Sequence, residues 1–82
     1  MNNEILINDI LEYARSVYPN QCYGNDGVYI FIGNNGAVMP KSQIPIDLHK
    51  HFVPDIRDDP IDDFNLSKLN SKELTLLKLA LL

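Results

Sequence analysis

Apolar positions at the start of the chain recur with a helical period. Ile7, Ile10, Leu11, Ala14, Val17 and Tyr18 make one face of a helix predicted over residues 3–18. Asn2 or Asn3 can cap its start, and Glu4 suits the positive end of its dipole. Pro19 lacks an N–H and disfavours helical backbone at Tyr18, so the helix stops there. Its apolar face is expected to bury Ile7, Ile10, Leu11, Ala14 and Val17.

The period then changes. Residues 20–27 are rich in Asn, Gly and Asp and read as a loop. Val28-Tyr29-Ile30-Phe31-Ile32 is β-branched and aromatic throughout. Gly33-Asn34-Asn35-Gly36 follows, and these residues tolerate the positive φ of tight turns. The pattern predicts a β-hairpin, 28–33 against 36–40. Its first strand is apolar on both faces. One face can take the helix, and the other must meet a further layer or a partner.

Four of the five prolines lie between residues 40 and 64: Pro40, Pro45, Pro54 and Pro60. Ile44, Ile46 and Leu48 alternate as in an extended segment. Alternatively, Pro45 opens a short helix through Phe52, which is the reading preferred here. Residues 53–64 read as an exposed acidic loop. A last helix follows, with Asn70 and Glu73 spaced for a capping box. Leu74, Leu77 and Leu81 share one side of it, while Leu76, Leu79, Ala80 and Leu82 point elsewhere. Such a helix has to be covered on more than one side. It is expected to pack across a subunit boundary in a two-fold homodimer. The alternative places it in a central groove between the hairpin and the 44–52 segment. With no repeat and no linker, the chain reads as a single α+β domain, 1–82. In order it has a helix on a hairpin, a proline-rich acidic connection and a leucine-rich helix.

Composition narrows this picture. A chain of 82 residues has room for one core and buries only about 60% of its unfolded surface. Its stability margin is thin, which favours an added interface. Hydrophobic residues at 45% and charged residues at 22% exclude whole-chain disorder. Cys22 stands alone and cannot close an internal disulfide. No apolar run reaches the ~20 residues of a membrane span, and the N-terminus lacks signal-peptide character. The expected location is the cytoplasm, away from membranes.

The net charge of −4 is local. Asp55, Asp58, Asp59, Asp62 and Asp63 stand against Arg57 alone, and the other residues balance, six acids against six bases. No basic stripe exists to release counterions from nucleic acid. The Asp-x-Asp-x-Asp-Gly pattern of a calcium loop is absent. The five aspartates are either a solvated loop or a recognition surface for a basic protein.

Two short motifs suggest chemistry. His49-Lys50-His51, with Asp62 eleven residues beyond the second histidine, resembles the JAMM/MPN metalloproteases. The resemblance implies a zinc ion on His49, His51 and Asp62 with a fourth position open to water. Tyr18-Pro19-Asn20-Gln21-Cys22-Tyr23-Gly24 is similar to the Tyr-Pro-x-Glu-x-x-Gly stretch of the prokaryotic members. Gln21, however, stands where the general-base Glu belongs, and an amide cannot take a proton at neutral pH. Phe52 replaces the proline after the second histidine, and Asp59 replaces the serine. Gln21-Cys22 is also similar to the pair that opens CHAP-type amidases, which would make Cys22 a nucleophile and His49 or His51 its base. Gly24, Asn25, Asp26 and Gly27 place that cysteine in a loop instead of at a helix start. On the plainer reading, both histidines face solvent and Cys22 is a half-buried thiol.

No complete set of acid, base and nucleophile is present. The expectation is therefore a non-enzymatic protein-binding module: a small inhibitor, immunity, adaptor or assembly subunit. Its contact residues would be Asp55, Asp58, Asp59, Asp62 and Asp63 with Leu76, Leu79 and Leu82. Its partners would be a basic protein or a second copy, and no cofactor or tightly held metal is expected. The alternative is a small or degenerate metal-dependent hydrolase built on His49, His51 and Asp62.

Overall fold

Helical spacing at the N-terminus produces helix α1, Asn3–Val17, in a computed structural model that describes residues 3–19, 27–32, 35–54 and 61–82. Its buried side chains are Leu6, Ile7, Ile10, Leu11 and Ala14. Val17 was expected in this face but is 47% exposed. Val17 keeps the angular position of the buried face but is the last residue of the helix, one turn beyond Ala14, the last buried position, whereas Leu6, outside the expected set, is buried. Tyr18 closes the last turn by donating its N–H to Ala14 O at 2.8 Å, and its ring packs partly buried against the core.

The hairpin read from the sequence forms. Strand β1, Gly27–Ile32, pairs antiparallel with β2, Asn35–Pro40, with Ile30 opposite Ala37 and Val28 opposite Met39. Gly36 answers to a close approach. A Cβ built there would lie 2.6 Å from Ile30 O and 2.8 Å from two carbons of the Tyr29 ring. The aromatic ring thus occupies the space that any larger residue would need.

The proline-rich stretch holds more regular structure than its sequence predicts. A 3-10 turn, Lys41–Gln43, leads to a 3-10 helix, Ile46–His51, with Pro45 at its N-terminal boundary. Residues 53–64 are not simply a loop. Val53–Pro54 forms the short edge strand β3, and Ile61–Asn65 forms β4. β4 runs parallel to β1 and antiparallel to β3, giving a four-stranded mixed sheet of order β2-β1-β4-β3. Residues 55–60, with Asp55, Asp58 and Asp59, lie outside the described residues.

A further 3-10 turn, Leu66–Lys68, precedes α2, Ser71–Leu81. The capping box forms as read: Glu73 donates its N–H to Asn70 Oδ1 at 2.8 Å, and Asn70 returns its own to Glu73 Oε1 at 3.2 Å. Lys78 donates to Asp9 at 2.8 Å and ties α2 to α1.

The core sits between the two helices and one face of the sheet. Val28, Ile30, Ala37, Met39 and Phe64 supply that face, with Leu6, Ile10, Leu74 and Leu77 from the helices above it. Alternation sends Tyr29, Phe31, Asp63 and Asn65 to the opposite face. The architecture is an α+β sandwich of two layers.

Candidate functional site

The metal-site residues are brought near one region but not to one point. Asp62, on β4, accepts from Lys41 Nζ at 2.6 Å. The same ammonium stands 5.4 Å from the centre of the Phe52 ring. His49 donates from Nε2 to Ile44 O at 2.9 Å. A carbonyl oxygen can only accept, so that nitrogen carries the proton. The imidazole stacks on Phe52 at 4.6 Å, and Phe52 meets Phe64 edge-on at 5.2 Å. His51 donates from Nε2 to Glu73 Oε2 at 2.7 Å. Each of the three groups therefore has its own partner, and both histidines are half-buried instead of facing solvent. No group of three His, Cys, Asp or Glu suited to a metal ion occurs among the described residues. Gln21 and Cys22 lie outside those residues, as does most of the Tyr18–Gly24 stretch.

Glu73 is a side chain whose second role the sequence reading missed. One carboxylate oxygen closes the capping box of α2, and the other clasps His51 at the end of the 3-10 helix. The hydrogen bond from His51 and the Asn70 N–H hold its carboxyl below the usual range, against the opposing effect of desolvation. The cap was legible from spacing alone. The clasp was not, because His51 and Glu73 stand 22 residues apart.

Beside this clasp runs a groove of about 390 Å³ between the 3-10 helix and α2. Leu48, Leu76 and Leu79 supply its apolar lining, with Asp47, Lys50, Lys72 and Glu73 around them. Leu48 is buried in the core, whereas Leu79 is 75% exposed. Leu82 is 62% exposed, and Leu76 is 41% exposed. Leu74, Leu77 and Leu81 are buried on the other side of the same helix. The side chains thus divide as the spacing predicted. A second, smaller pocket of about 150 Å³ opens between Phe31, His51, Val53, Asp63, Asn65 and Lys68. The His51–Glu73 pair stands between the two concavities, with one partner lining each.

Chemically, the groove offers contact area and balanced charge. Among the described residues nothing in it pairs a nucleophile with a base. No helix of the described residues is long and apolar enough to cross a membrane. No protein-family model, curated protein or solved structure matches the chain.

Proposed function

We propose that the chain is a non-enzymatic, cytoplasmic protein-binding module that docks through the outer face of α2. The observation that carries this reading is the placement of Leu76, Leu79 and Leu82 on the side of α2 away from the core, beside an apolar groove. Burying a leucine side chain contributes about 1.5–3 kcal/mol, and a domain this small forgoes that gain unless a partner covers the face. Asp55, Asp58, Asp59, Asp62 and Asp63 serve as a second surface that steers a basic protein toward the module. Lys41 pairs with Asp62, so that carboxylate contributes less to the steering field.

A photo-activatable phenylalanine analogue at position 79, in the native cell, tests the docking face. Protein adducts are expected at 79 and not at Glu12, which is exposed on α1. Equal adduct yields at the two positions, or none at 79, would remove the basis of this reading.

A further inference from the structure

We infer, resting on the docking reading above, that the occupant of this face is a second copy of the chain. The two α2 helices run antiparallel across a two-fold axis that passes by Leu79. Three observations lead there. The leucines are spaced symmetrically about position 79: Leu76 precedes it by three residues and Leu82 follows by three. At 1.5 Å per residue each lies about 4.5 Å along the axis from Leu79. An antiparallel pair therefore sets Leu79 against its own copy, and Leu76 of one copy against Leu82 of the other. A self-complementary patch of this kind is what a two-fold interface requires.

Charge selects the same occupant. Asp47 and Glu73 around the groove balance Lys50 and Lys72, so the patch carries no net charge to attract a strongly basic or acidic partner. The acidic excess lies in 55–63, outside the patch. Two identical neutral patches meet without local repulsion. Area sets the extent. A specific interface buries roughly 800 Å² per partner, about a sixth of the 5098 Å² that this chain exposes. Three leucines cannot supply that alone, so the interface includes the groove wall from the 3-10 helix.

The test uses the full chain with Cys22→Ser as background. Light scattering from low micromolar to near millimolar concentration is expected to show a doubling of mass. Leu79→Cys should oxidise to a covalent dimer, whereas Glu12→Cys should not. Leu76→Cys mixed with Leu82→Cys should cross-link faster than either alone. Leu79→Glu should remain folded by circular dichroism, since the site is exposed, and should stay monomeric. A parent chain that is monomeric throughout, with Leu79→Cys no faster to cross-link than Glu12→Cys, would overturn the inference. If position 79 then still gives adducts to another protein in cells, the docking reading survives and only the second copy is lost. If it gives none, both fall.

Discussion

Gly36 sits within strand β2, opposite Phe31, where packing fixes the residue type. The Tyr29 ring and Ile30 O leave no room for a Cβ, and the carbonyl belongs to the backbone, so it cannot rotate away. Gly36→Ala is therefore expected to destabilise the domain by about 1–3 kcal/mol, the usual cost of overpacking. A denaturant midpoint equal to that of the parent would show that the sheet yields without strain. Glu73 makes a different kind of statement, about pH. Its carboxyl is held below the ordinary range by His51 and the Asn70 N–H. The unfolded chain therefore takes up that proton first. The stabilisation from Glu73 is complete above the unfolded value of about 4.3 and is lost as pH falls through the lower folded value. Gln at this position keeps an acceptor for the cap but carries no charge to attract His51 or the nearby Lys50. Glu73→Gln should lower the melting temperature at neutral pH and lose less stability than the parent on acidification. Acid limbs that superimpose would show that the clasp contributes nothing.

The two sides of α2 give a contrast within one element. Leu77 is fully buried and Leu79 is 75% exposed, so the same truncation should have unlike costs. Leu77→Ala is expected to cost about 2–5 kcal/mol, and Leu79→Ala no more than about 0.5 kcal/mol in the monomer. Thermal unfolding in dilute solution checks both, and similar losses would mean the helix is seated differently. This division was legible because helical spacing is a local property. So were α1, the hairpin and the capping box, each specified by residues a few positions apart. β4 was not legible. Ile61-Asp62-Asp63-Phe64-Asn65 places two acids side by side after Pro60, which locally resembles a solvated loop. What makes it a strand is distant: Phe64 lies beside Ile30 in register, and Lys41 neutralises Asp62. The histidine motif shows the same limit of local spacing. Spacing in sequence matched a ligand set, but His49, His51 and Asp62 each found a nearer partner in the fold. The groove, likewise, arises only when the 3-10 helix docks beside α2, and no local pattern encodes that approach.

At the scale of the whole molecule, charge and apolar surface are set on different parts of the chain. The patch around α2 is neutral, while residues 55–63 carry the entire net charge of −4. Two copies that meet through α2 therefore experience two electrostatic effects of different range. At contact the balanced rims impose no net penalty. At longer range each copy repels the other, since both are acidic. Salt acts mainly on the second effect, because the Debye length falls from about 10 Å at 0.1 M to about 3 Å at 1 M. Added salt should therefore tighten the dimer, by roughly twofold for charges of this size at a molecular diameter's separation. A basic partner steered by the aspartates would show the reverse, an association that slows as salt rises. Sedimentation equilibrium of the chain alone, at low and high sodium chloride, tests the self-association. A self-association that weakens steadily with salt would place the acidic stretch inside the interface and displace the neutral leucine face from its centre.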